Sequence, residues 1–600
     1  MFDREQQVIE SRIREYCQQN QIPLDEINWT PIPFRGEWGI SMSFFQSAAS
    51  EARTGKRIIV PQRAQEIALS IKDYLGRIEG IQRIEAVNGY LNLYFSTSDY
   101  TQRTVDLVLK KGRDFGRGNP QKERVMVEYC QPNTHHSFHI GHARNAVLGE
   151  ALARLVEFAG FETIRATYPG DIGLGVITVL WAYDKFYKGE EPSTIHERGQ
   201  WLLKIYVEAT RLLEPKEGET AAEKAQREAY DAERREMLRR WDEGDPYVHE
   251  LWRTTREWSL AELREIMKML DIHMDVWFFE SEVDKLTKDI VAELVALGIA
   301  EDERATGGPV LVKIDEKLGL KKEKYRTVVL LRNDGTALYP ARDLALAKIK
   351  FDNYQVDRSI YVIDVRQSLN MQQVFKILEL WGFKQAEKCY HLGYGFVSLP
   401  EGAMSARRGR VILFKDVVDE AVDRVLKVIA EKNPELPTEK RQEVALQVGL
   451  GAIKFSMLSV DNNKDIIFEI DSALNFDGRT APYIQNAHVR ATSILRKANR
   501  EIPESAQFDY DLLPQEIELV EQISRFPGVA EQAAMEYRPL VMATYAYELA
   551  NAFHSFYHVA PVLQSESRSV RDARLRLVAA ARQTLANALY LLGIEAPNVM

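Results

Sequence analysis

Cysteine is scarce in this chain: Cys17, Cys130 and Cys389 are the only three in 600 residues, and no two stand as a CxxC pair. That excludes a disulfide framework and a cysteine-ligated structural zinc, and it suits a reducing compartment, so a cytoplasmic protein is expected. Long apolar runs are missing too. No stretch approaches the ~20 apolar residues of a membrane span, so no membrane association is expected. The N-terminus, MFDREQQVIESRIREY, is charged and helix-patterned, unlike a signal or transit peptide. Positive charge is in deficit, with 78 Lys and Arg against 88 Asp and Glu for a net −10. This argues against a protein that binds any polyanion regardless of sequence, although local basic surface can still hold RNA. Internal repeats and low-complexity tracts are absent. What is present, 45% hydrophobic and 28% charged residues, is a globular composition, and the length calls for several domains.

The stretch that organises the rest is Val125 to His142, VMVEYCQPNTHHSFHIGH. VMVEYC (125–130) reads as a buried parallel strand, ended by Pro132, Asn133 and Thr134. From Ile140 apolar residues recur at helical spacing through Val147, Ala151, Leu155 and Phe158, and Gly160 closes the run. ETIRATY (162–168) follows as the next strand. The result is a βαβ unit with HIGH (139–142) at the strand-to-helix turn, where free N–H groups and a positive dipole end favour phosphates. His139 and His142 lie one turn apart and can both offer ring N–H donors to one phosphate, while Gly141 leaves room for a nucleotide. Two surface histidines at a helix start is the competing reading. The flanking strands favour nucleotide binding.

Residues 1–115 read as a small α+β domain with a hairpin at Asn88-Gly89, from which Tyr90 and Asn92 project. The glycine-rich YPGDIGLGV (168–176) brings Asp171 to the carboxyl end of the sheet, and a charged helical insertion spans about 181–272. VVLLRNDGTALYPARDLALA (328–347) and SIYVIDVRQSLNMQQVFKILELWGF (359–383) read as a return to the parallel sheet. Tyr339 and Asp343 share a helix face, and Gln367 stands at a strand end. MSARRG (404–409) is a cationic loop whose Arg407 and Arg408 can neutralise a triphosphate. From about Asp461 the chain reads as a bundle of four or more long helices, whose Asn551, His554 and His558 edge can face a nucleic acid. The expected fold is multidomain α/β: a 116–455 catalytic core of Rossmann type with the insertion, preceded by the small domain and followed by a helical bundle at 456–600.

In their order, the segments EYCQPNTHHSFHIGHARNAVLGE (128–150), DGTALYPARDLA (334–345), MSARRGR (404–410) and APYIQNAHVRATSILRKA (481–498) resemble class I aminoacyl-tRNA synthetases. Within them the chain is similar to arginyl-tRNA synthetases over nearly its whole length. The resemblance implies a two-step ligase. Arginine attacks the α-phosphate of Mg2+-ATP to give arginyl-adenylate and pyrophosphate, and the arginyl group then passes to the 3′-terminal ribose of tRNA(Arg). Magnesium arrives with the nucleotide, so no protein-bound metal is expected, and a monomer is expected.

Carried over residue by residue, the resemblance makes His139, His142, Arg407 and Arg408 catalytic, with Gly141, Met404 and Ser405 also on ATP. It places arginine on Glu128, Asn133, Tyr339, Asp343 and Gln367, and the tRNA D-loop on Asn88, Tyr90 and Asn92. The bundle resembles an anticodon-binding domain. One departure stands out: Ala403 and Arg407 occupy the lysine positions of the second signature. His136 occupies the place before HIGH where a lysine compensates in such enzymes. Arg407, Arg408 or His136 is therefore expected to supply the positive charge. The alternative is a non-catalytic synthetase-like protein that binds tRNA or a partner.

Overall fold

Apolar strand-formers at the centre of the chain build a five-stranded parallel sheet in the computed structural model, which describes residues 2–24, 26–54, 57–398 and 412–600. Its strands are β1 (Arg124–Glu128), β2 (Glu162–Thr167), β3 (Val276–Trp277), β4 (Arg358–Asp364) and β5 (Tyr390–Tyr394), in the order β5-β4-β1-β2-β3. Helix α1 (Ile140–Phe158) joins β1 to β2, and α2 (Glu280–Ala296), α3 (Tyr339–Tyr354) and α4 (Ser368–Leu380) complete the layers. Alternation along β1 sends Val125, Val127 and Tyr129 into one core with α1, and Met126 into a second core with α2 and α3. The strand order reverses between β1 and β4, which opens a crevice at their carboxyl ends.

Two sequence expectations are corrected. Strand β1 stops at Glu128 rather than Cys130, because Cys130 takes a left-handed φ of 57° that breaks the ladder. The apolar run at 328–331 does not join the parallel sheet. It pairs antiparallel with Val310–Lys313 in a separate three-stranded sheet, a distinction that an unbroken apolar run does not carry.

The N-terminal part packs three helices on an antiparallel sheet, and the hairpin Val87↔Tyr90 turns on Asn88 (φ 51°) and Gly89 (φ 82°), as both residues of a mirror-type turn require. Between β2 and β3 the insertion is mainly helical, from Leu174–Ala182 to Pro246–Met269. The C-terminal helices Ala481–Lys497, Pro514–Met535, Pro539–Val559 and Arg568–Leu591 pack as a bundle. Helix Thr438–Leu458 runs through the expected boundary at 455/456. The N-terminal part docks on that bundle through Trp38 Nε1 donating to Glu521 at 2.5 Å and through Arg576 paired with Asp106 at 2.5 Å. Among the described residues no helix is long and apolar enough to cross a membrane.

Candidate functional site

The loop after β1 hands over to α1 through a reciprocal cap. His139 is the N-cap; its Nδ1 accepts the His142 backbone N–H at 3.2 Å, and His142 Nδ1 accepts the His139 N–H at 3.4 Å. The two rings stack with centroids 3.6 Å apart. An accepting Nδ1 carries no proton, so each neutral ring holds its proton on Nε2. Burial, with the neighbouring histidines adding to it, lowers the His139 pKa to about 4 and that of His142 well below the usual imidazole value. Both are thus neutral donors at physiological pH. They line a cavity of about 810 Å³ together with Gly141, Asn133 and Gln367.

Asn145 on α1 bridges the two strands that flank the crevice. Its Nδ2 donates to Val362 O on β4 at 2.6 Å, while its Oδ1 accepts from the Cys130 N–H after β1. Two sequence candidates are structural instead. Buried Asp171 accepts from Ser281 N and Oγ at 2.8 Å and from Arg256 Nε at 2.7 Å, tying the start of α2 to the insertion. His136 packs edge-on against Tyr206 at 4.5 Å, and burial lowers its pKa to about 4. Burial thus disfavours its charged form, which weighs against the expectation that it could replace a lysine. His136→Ala should accordingly leave the slope of the rate-against-pH profile between pH 6 and 8 unchanged; loss of a limb there would restore it as a cation.

A cluster of buried carboxylates joins the end of β1 to α3 and the start of α2. Asp343 is pushed up to about 7 by burial and by Glu128, against the hydrogen bond it accepts from Asn370 Nδ2 at 3.1 Å. Tyr339 opens the same helix and is 70% exposed, a lip rather than a wall. Glu128 is buried and its Oε2 sits 2.5 Å from Nζ of Lys350, which is fully buried. The structure adds Glu280, which sequence reading missed. It is buried at the start of α2, accepts from Arg342 Nη1 at 2.6 Å and is raised by desolvation. A Cβ at Gly170 would come within 2.5 Å of Asn133 Oδ1 and 3.2 Å of Glu280 Oε2, so that glycine lets the two approach. The buried Tyr168 hydroxyl has no partner, and Asp343, Glu280 and Glu128 surround it.

Met404, Ser405, Arg407 and Arg408 lie outside the described residues. Their described neighbours flank the cavity: Val397 and Ser398 line it, and Leu413 bridges to His139 while Ile140 N donates to Ile412 O at 3.2 Å. Among described cavity residues Arg366 is the one Arg or Lys; it pairs with Asp364 at 2.9 Å and lies 3.9 Å over the Phe396 ring. Far from the crevice, Tyr90 and Asn92 sit on the outward face of their strand, with Tyr90 43% exposed and Asn92 Oδ1 accepting from Ser41 Oγ at 2.7 Å. Asn88 is in the exposed turn.

A reversed parallel sheet with HxGH donors at its crevice and a helical bundle behind it defines a class I tRNA synthetase. Residues 104–470 match the model of the "tRNA synthetases class I (R), catalytic domain" and residues 484–600 the "DALR anticodon binding domain". The chain is 36% identical to the arginine–tRNA ligase of Bdellovibrio bacteriovorus over 86% of each chain. It is 34% identical to that of Clostridioides difficile over 87% of this chain and 88% of the relative. The solved arginyl-tRNA synthetase of Thermus thermophilus superposes with a TM-score of 0.74 at 28% identity, covering 99% of this chain and 100% of that one. The chain belongs to the arginyl-tRNA synthetase family.

Proposed function

We propose that the chain is an arginine–tRNA ligase that works as follows. ATP occupies the 810 Å³ cavity with its adenosine over Gly141 and its phosphates on the Nε2–H groups of His139 and His142. Mg2+ arrives with the nucleotide as part of the substrate. Arginine lies across the buried carboxylates, its guanidinium fork on Asp343 and Glu280 with Glu128 and Tyr339 beside them. Asn133 and Gln367 hold the α-amino end. The carboxylate attacks the α-phosphate, pyrophosphate leaves, and the adenylate passes its arginyl group to the tRNA ribose. Little covalent chemistry falls to the protein, so positioning and charge stabilisation carry the rate.

Arg407 and Arg408 supply the charge that the missing lysines would give, and Met404 and Ser405 also bind the nucleotide. Support comes from the flanks of their segment. Ile412 bonds to the start of α1, and Arg407 precedes it by five residues, a reach of at most about 18 Å. Residues 1–115 hold the D-loop through Asn88, Tyr90 and Asn92, residues 116–455 carry the chemistry, and residues 456–600 read the anticodon. The enzyme works as a cytoplasmic monomer. The paired histidine donors facing the cavity carry this reading, and they disfavour a non-catalytic tRNA-binding protein. Arginine-dependent exchange of pyrophosphate into ATP, run with and without tRNA, tests it: no exchange under either condition would sink it. Arg407→Ala and Arg408→Ala should each slow that exchange, by about 10²-fold for the residue that meets the triphosphate.

A further inference from the structure

We propose that Lys350 is a specificity-determining residue: its ammonium, paired with Glu128 beside the carboxylates proposed for arginine, fills the place where a lysine substrate would find a further carboxylate. The inference rests on the arginine site assigned above. Lys350 and Asp343 stand seven residues apart on α3, on one face and about 10 Å apart along its axis. Lys350 is the more buried of the two. Its side chain is 0% exposed, its Nζ is 2.5 Å from Glu128 Oε2, and the Tyr361 ring lies 3.9 Å from that Nζ. A carboxylate lies on one side of the ammonium and an aromatic face on another, and the ion pair holds it by charge, without hydrogen-bond geometry.

The consequence is a difference between two cations of equal charge. A guanidinium is planar and weakly hydrated, and it presents five donors that can span Asp343 and Glu280. An ammonium is compact and strongly hydrated, and it gains most from a single close carboxylate. Asp343 stays open to either cation; Glu128 would be the further carboxylate on which an ammonium could settle, and Lys350 has already taken it. A second ammonium arriving there would meet the first in a buried setting, where like charges repel strongly. Discrimination between the two amino acids is therefore built into the Lys350–Glu128 pair as well as into the guanidinium's fit to Asp343 and Glu280.

The test compares lysine-dependent with arginine-dependent pyrophosphate exchange, as the ratio of kcat/KM values, in wild type and variants. Lys350→Met removes the ammonium and nearly keeps the volume. The ratio should rise at least about tenfold, the order of one new charge-assisted contact. Lys350→Gln serves the same purpose should the methionine variant fail to fold. Lys350→Met/Glu128→Gln replaces the pair with two neutral groups, a change that buried ion pairs often tolerate. With no further carboxylate left to receive lysine, its ratio should return toward the wild-type value. A folded single variant with an unchanged ratio, even with a raised KM for arginine, would overturn the proposal, as would a double variant that keeps the raised ratio. Absence of arginine-dependent exchange in the wild type would instead sink the site assignment itself.

Discussion

Replacing His142 with alanine should slow arginine-dependent pyrophosphate exchange by about 10²–10³-fold, the usual cost of removing one preorganised donor from developing charge. The reason is specific to the cap. Each ring spends its Nδ1 on the other residue's backbone N–H, so neither can turn away, and both Nε2–H groups are left for the phosphates. The donors are neutral, which means that they stabilise charge as it develops rather than attracting the nucleotide beforehand. kcat should therefore fall more than KM for ATP rises. His139→Asn separates the two duties, because asparagine is a good N-cap but does not reach as an imidazole does. That variant should keep its thermal midpoint within a few degrees and still lose most of its rate. A loss of rate that tracks unfolding, or exchange retained near the wild-type level, would remove the histidines from the chemistry.

The same burial predicts the acid limb of stability. His139, His136 and His488 are held neutral down to about 4, and His135 to about 3, all chiefly by desolvation. Unfolded imidazoles titrate near 6.5. Between those values the unfolded chain binds more protons, so the stabilisation is complete above about pH 6.5 and is lost as pH falls toward 4. The thermal midpoint should drop steadily from pH 7 to pH 5, and a flat midpoint there would contradict the burial.

Much of this site was legible in the sequence because its parts sit where local patterns end. HIGH follows an apolar strand and opens an apolar-periodic helix, so its residues could be assigned to one turn. Tyr339, Asp343 and Gln367 mark the starts of two further helices. Glu280 escaped because β3, the strand before it, is only two residues long, too short to show a period. Lys350 escaped because a lysine in a helix reads as solvated by default, and its burial depends on Glu128, more than two hundred positions away. His136 shows the opposite: a histidine in a polar loop reads as exposed, but the insertion folds Tyr206 onto it. The helix Pro514–Met535 passes through Pro527, where a sequence pattern stops at the preceding residue. Distant contacts override the local rule in each case.

Asp343→Asn should lower kcat/KM for arginine by about 10²–10³-fold, as expected for breaking a buried charge pair in the complex. It should also remove most of the pH dependence of that parameter. In the free enzyme the Asp343 carboxyl is pushed up to about 7 by burial and by Glu128, so at pH 6 most molecules hold it protonated. Arginine needs it ionised, and binding must expel the proton. The wild-type kcat/KM for arginine should thus rise about tenfold per unit up to pH 7 and level off above it, whereas the asparagine variant should be nearly flat. Stability should move the other way. The folded carboxyl keeps its proton to a higher pH than the unfolded one, so the folded state loses ground as pH rises from about 4 to 7 and carries the full penalty above. Asparagine relieves that penalty, and without arginine the variant should melt at or above the wild-type midpoint at pH 8. A variant that is slow because it is less stable would show that Asp343 holds the fold together instead of the substrate.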